Sequence, residues 1–258
     1  MDKRETLKKQ IREWIQLGYI APDDIPTIEL YMDQVTTFMD KYLAQNKRAD
    51  EDKTLTKTMI NNYTKNELLP PPDKKRYSKE HIIILIYIYY LKNVISISDI
   101  KTMLAPLLEK YYDNPDAEHS LNDIYTSLYN MEKYQYFNIE NSIIKAYELA
   151  EKDWSEDKYL QKLNFLSLLG YDIFMKRKLM EHIIDEMAEE AEKAKAEKEA
   201  KGAEKNKNAK NAEKSKNAEK SKNAEKAKNA EKAKNTEKAK NTEKVKNTEK
   251  VKATKETK

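Results

Sequence analysis

The chain has 258 residues, no cysteine, only three glycines and a formal net charge of +4. That composition excludes a disulfide framework, thiolate chemistry and a glycine-rich phosphate loop. The charge is divided: residues 201–258 hold 20 lysines and nine glutamates, a net of +11, so residues 1–200 carry −7, and a basic isoelectric point alone is no argument for nucleic acid.

The first residues, MDKRETLKKQ, carry charge with no apolar stretch behind it, so no signal peptide is expected there. Leu7, Ile11, Trp14 and Ile15 follow helical spacing, and Gly18 can close that helix. Tyr19–Pro26 reads as a turn. A second helix is expected over about Thr27–Gln45, where Ile28, Tyr31, Met32, Val35, Phe38, Met39, Tyr42 and Leu43 form an apolar stripe. Asn46–Asp52 is a polar loop.

The most informative stretch comes next, LTKTMINNYTKNELL followed by PPPDKKRYSKEH. Met59, Ile60 and Tyr63 share one arc of a helix, built to be buried. Lys57, Thr58, Asn61 and Lys65 lie on the opposite arc, with Asn62 at the border. Thr54 or Thr56 can cap the start, and Pro70, Pro71 and Pro72 end it. Asp73–Tyr77 reads as a small turn or wing. Lys53–Glu80 holds seven Lys/Arg against three Asp/Glu, a local +4 inside an acidic body.

Ser78 is the expected N-cap of a helix containing IIILIYIYYL. That run is apolar all round and belongs at the centre of a core. Its ten residues are too few for a membrane span, which needs roughly 20. Ser96 with Asp99 resembles a capping box, opening a helix whose apolar face runs through Ile97, Ile100, Met103, Leu104, Leu107 and Leu108, with Pro106 leaving its C-terminal half open.

Beyond the hinge-like Tyr111–Ser120, helical patterns cover Leu121–Tyr129, Ile139–Ala150, Asp157–Leu169 and Tyr171–Glu190, with Gly170 expected to break the last two apart. They look like a small bundle or dimerisation module. From Asn211 to Lys252 the hexads NAEKSK, NAEKAK, NTEKAK and NTEKVK repeat. Six residues advance a helix by a net 240°, so no continuous apolar stripe forms, and disorder is expected. Such a tail is either a solubilising segment or a loose polycation with salt-sensitive attraction to nucleic acid.

Enzymatic signals are thin. His81, His119 and His182 are scattered and form no metal-binding spacing. His81 reads as a local packing or hydrogen-bonding residue. Catalytic residues, metal and cofactors are not expected, and most of the 17 tyrosines follow core spacing.

The segment TKTMINNYTKNELLPPPDKKRYSKEHIIILIYIYYLKNVISISDIKTML resembles an uncharacterised family of low-GC Gram-positive bacteria, domain of unknown function 1836, over roughly residues 7–185. Its core, about 55–108, is in turn similar to the DNA-binding domain of MerR-type regulators. There a recognition helix ends in a tyrosine before a Gly-Leu-Leu-Pro turn, and a basic wing leads into the next helix. Tyr63 matches the tyrosine. Leu68, Leu69 and Pro70 match the turn, Arg76, Tyr77 and Ser78 the wing exit, and Ser96–Leu104 the later helix. Asn61 replaces that family's usual arginine, Glu67 replaces its glycine, and the wing is short.

The resemblance implies an all-α protein. A MerR-like winged helix-turn-helix is expected over 1–110 (motif core 27–108), a helical dimerisation or interaction module over 111–190, and a disordered basic tail over 191–258. It implies a sequence-specific DNA-binding regulator of transcription, non-enzymatic, cytoplasmic and dimeric, with double-stranded DNA as partner and an effector or protein partner open. Base contacts fall to Asn61, Asn62, Lys57, Thr58 and Lys65, with asparagine suited to adenine N6 and N7. Backbone contacts fall to Lys74, Lys75, Arg76 and Lys79. Met59, Ile60, Tyr63, Leu68, Leu69, Pro70 and Tyr77 form the core of the motif. A second expectation is a helical interaction or scaffolding module with a non-specific polycationic tail.

Overall fold

The structure, a computed structural model, describes residues 3–15, 20–49, 52, 54–153 and 156–199. It divides into two units, Met1–Glu190 and Ala191–Lys258. In the second unit 191–199 are helical. The hexad repeats and the expected stop at Gly18 lie outside the described residues.

The first unit is mostly helical. Its elements are α1 (Lys3–Ile15), β1 (Leu30–Tyr31), α2 (Met32–Leu43), α3 (Lys57–Lys65), β2 (Arg76–Tyr77), α4 (Lys79–Leu91), α5 (Ile97–Tyr111) and α6 (Leu121–Asp153). A further helix, α7, covers 158–190.

α4 is the hub. Every residue from His81 to Tyr89 is buried, so a helix with no polar face has neighbours on all sides. Val35, Met39 and Leu43 of α2, Ile60 and Tyr63 of α3, Ile100 and Leu104 of α5, and Leu121 and Tyr125 of α6 join it in one core. The Tyr125 hydroxyl donates to the Ile20 carbonyl at 2.6 Å, tying α6 to the segment before β1. α1 packs on α6 through two ion pairs, Arg12–Glu140 at 2.8 Å and Arg4–Glu148 at 2.9 Å. The step of eight residues down one helix matches eight up the other, so the two run antiparallel. α7 is held by Ile184, which is buried, and by Met180 against the core. Phe165 also meets Tyr147 of α6 edge-on at 5.6 Å.

Four expectations need correction. The second helix does not begin at Thr27: Leu30 and Tyr31 are extended and pair antiparallel with Tyr77 and Arg76. The run Tyr31, Met32, Val35 mimics a helical stripe because the strand feeds straight into α2. Leu30 is buried and Tyr31 exposed, the alternation of a strand. Leu121–Tyr129 and Ile139–Ala150 belong to one 33-residue helix. α3 stops at Lys65 with Asn66 as its C-cap, so Pro70, Pro71 and Pro72 do not end it; the half of α5 left open by Pro106 is helical, to Tyr111. Gly170 does not interrupt α7. A glycine costs a helix only about 1 kcal/mol against alanine, and a Cβ added there would meet open space.

Candidate nucleic-acid interface

Local chemistry positions α3. Thr56 is its N-cap: its hydroxyl accepts from the Met59 N–H at 3.2 Å. Thr54 is buried and donates to Asp40 of α2 at 3.1 Å. Its carbonyl accepts from the Lys92 ammonium at 2.9 Å, so the entry to α3 is fastened to α2 and to the end of α4. Ile60 and Tyr63 are buried and Met59 is half-buried. Burial raises the Tyr63 phenol above its ordinary pKa. Lys57, Thr58, Asn61, Asn62 and Lys65 are exposed.

α3 ends in a Schellman motif. The Leu68 N–H donates to the Tyr63 carbonyl at 2.9 Å and the Glu67 N–H to the Thr64 carbonyl at 3.1 Å. Glu67 takes the left-handed position, φ 58°, where glycine is usual. Its carboxylate reaches Lys101 of α5 at 3.0 Å, and that ammonium lowers the Glu67 pKa. Leu68 and Leu69 are buried and Pro70 half-buried, so the Leu-Leu-Pro turn is an anchor.

The following segment makes a tight hairpin. Lys74 and Lys75 both have positive φ, 47° and 66°, and the Arg76 N–H donates to the Asp73 carbonyl at 2.8 Å. Positive φ at both central positions is the signature of a type I′ turn, for which Asn-Gly is the favoured pair. Two lysines here are strained by about 1–2 kcal/mol each. Both are exposed, so the tip projects two cations.

The hairpin returns through β2, and His81 locks its exit. The Ser78 N–H donates to His81 Nδ1 at 3.0 Å. A backbone N–H only donates, so Nδ1 is the unprotonated nitrogen, and Nε2–H faces the Tyr112 hydroxyl at 3.1 Å. The ring is edge-on to Tyr77 and to Tyr112, both at 5.4 Å. Burial holds the His81 pKa below its usual value, outweighing the nearby carbonyls of Pro71 and Pro70. The hydrogen-bonding role expected for His81 is what it performs.

Two of the expected cations are engaged. Lys57 pairs with Asp33 of α2. Arg76 pairs with Glu29 at 2.8 Å and with Asp73 at 3.8 Å. Lys65, Lys74, Lys75 and Lys79 form no ion pair among the described residues. The acidic partners Glu29 and Asp33 escaped sequence reasoning, because strand pairing and helix docking bring them into range. Among the described residues no group of His, Asp or Glu could hold a metal, and no helix is long and apolar enough to cross a membrane.

Residues 20–128 match one protein-family model. It is described as Domain of unknown function (DUF1836). The matched domain takes in β1 to α5 and the start of α6. It therefore contains the whole of the α3 and hairpin assembly and is narrower than the 7–185 expected from resemblance. α1, α7 and the tail lie outside it. No curated protein and no solved structure matches the chain.

Proposed function

We propose that this protein is a sequence-specific, double-stranded-DNA-binding regulator of transcription, acting in the cytoplasm through a MerR-like winged helix-turn-helix. In this assignment α2 and α3 are the helix-turn-helix, α3 enters the major groove, and the Asp73–Arg76 hairpin is the wing. One observation carries it. α3 buries Ile60 and Tyr63 and turns two asparagines and two lysines outward, and a strained hairpin tipped by Lys74 and Lys75 follows within one short turn. Asn61 and Asn62 are the base readers. Lys65, Lys74, Lys75 and Lys79 hold phosphates. Arg76, tied to Glu29, serves first to brace the wing.

A homodimer fits this function, since paired half-sites need paired readers. α7 offers the face for it: Tyr159, Leu163, Leu166 and Ile173 are exposed at helical spacing.

The test is a fluorescence-anisotropy titration of the full chain at three salt concentrations, using a duplex selected from random sequence and its scramble. Asn61→Ala or Asn62→Ala is expected to cost roughly 1–3 kcal/mol on the selected duplex and to leave the scramble unchanged. Lys74→Ala is expected to weaken both and to lower the salt slope by about 1. Equal affinity for selected and scrambled DNA, lost when 201–258 are removed, would leave only a polycationic tail and favour the interaction-module function.

A further inference from the structure

A cleft of about 570 Å³ opens between the end of α1, the end of α4 and the middle of α6. Its volume lies in the range of small-molecule sites. Trp14, Tyr89, Tyr90 and Tyr136 line it, and one carboxylate, Glu132, stands among them. Glu132 is half-buried and forms no ion pair among the described residues. At the end of α4 the Lys92 ammonium lies over the Tyr89 ring at 5.1 Å and is bound to the Thr54 carbonyl. It does not neutralise Glu132.

The electrostatics are one-sided. Burial pushes the Glu132 carboxyl up to about 7, with no positive group offsetting it. Its charge in turn raises the phenols of Tyr87, Tyr90 and Tyr136, after the larger effect of their own burial. These phenols are therefore neutral at physiological pH. A desolvated carboxylate beside aromatic faces is an arrangement short of one positive charge. The rings attract a cation through their quadrupoles, and the carboxylate recovers the solvation it lost.

We propose that this cleft binds a small amphipathic organic cation, with Glu132 as its counter-charge and Trp14, Tyr90 and Tyr136 as its aromatic walls. The proposal stands independently of the DNA-binding function, because none of the cleft's lining residues belongs to α3 or the hairpin and it needs no DNA to test. A neutral apolar molecule could fill the same volume but would leave Glu132 uncompensated. An anion would be repelled by it.

The probe is benzyltriethylammonium, compared with the neutral N,N-diethylbenzamide of similar size, in calorimetric titrations of the full chain. The cation is expected to bind one per chain, at least tenfold tighter than the amide. Its affinity is expected to rise from pH 6 to pH 8 as Glu132 loses its proton. Glu132→Gln, which removes an uncompensated charge and so does not threaten the fold, is expected to weaken the cation at least tenfold and abolish that pH dependence. The amide is expected to be indifferent to it. Tyr136→Leu is expected to weaken the cation, and Tyr136→Phe, which keeps the ring, to spare it. Equal binding of both probes, no binding of the cation up to millimolar concentration, or an unchanged Glu132→Gln would each overturn the proposal.

Discussion

At the scale of single residues, His81 shows how one side chain can hold two elements. Nδ1 fixes the first turn of α4 and Nε2 reaches Tyr112 at the end of α5. Burial lowers its folded-state pKa, so protonation is disfavoured in the native state. The unfolded chain takes up the proton first as pH falls. The contribution of His81 to stability is therefore present above the unfolded value of about 6.5 and is lost as pH falls below it. Glu132, with its pKa raised, works in the opposite direction over an overlapping range, so whole-protein pH profiles mix the two. The difference between wild type and His81→Gln isolates the histidine. In chemical denaturation that difference is expected to shrink from pH 7.5 to pH 5. A constant difference would mean that the His81 pKa is the same in the folded and unfolded chains.

At the scale of elements, the hairpin carries a conflict between stability and charge. Replacing Lys75 with glycine relieves about 1–2 kcal/mol of left-handed strain. The freer unfolded chain gives back about 0.4–1 kcal/mol. A net gain of roughly 0.5–1 kcal/mol is expected in the denaturant midpoint, together with weaker DNA binding on any sequence. A loss of stability would place Lys75 in a structural role instead. α3 was legible in the sequence because its pattern is local: the arc of Ile60 and Tyr63 and the Thr56 cap lie within a few residues of one another, whereas its end is set by the left-handed Glu67 and not by the prolines. The same holds for the Ser78 and Ser96 starts of α4 and α5. β1 was not legible, because a two-residue strand is specified by its partner, and Tyr77 lies 47 residues on from Leu30, beyond α2, α3 and the hairpin. The cleft was half legible. Glu132 and Tyr136 stand four apart on one helix face, but Trp14 and Tyr90 reach them only through tertiary packing.

For the whole molecule, every buried residue among the described ones lies in the first unit. Ile184 is the last buried residue in it, and the unit ends at Glu190. Residues 1–190 alone are expected to melt in one cooperative transition within a few degrees of the full chain, and to sediment as a dimer through the exposed side of α7. A broad, non-cooperative melt would mean that 191–258 contribute to the fold. A monomer at all concentrations would leave α7 for a different partner and remove the paired half-site geometry from the proposed function.

The apolar hub also has a consequence for how the chain is made. IIILIYIYYL is rich in β-branched and aromatic residues, the composition of an aggregation-prone segment when uncovered. α4 cannot be enclosed until Leu121 and Tyr125 of α6 have been synthesised, about 34 residues after Leu91. At ~5–20 residues per second, that leaves it partly uncovered for roughly two to seven seconds on every ribosome. Lys79 and Glu80 before the run and Lys92 after it are the charged gatekeepers for that interval. Slower translation between Lys92 and Tyr125 lengthens the exposure, so the solubility of newly made protein depends on the speed at which α5 and the first turns of α6 are delivered.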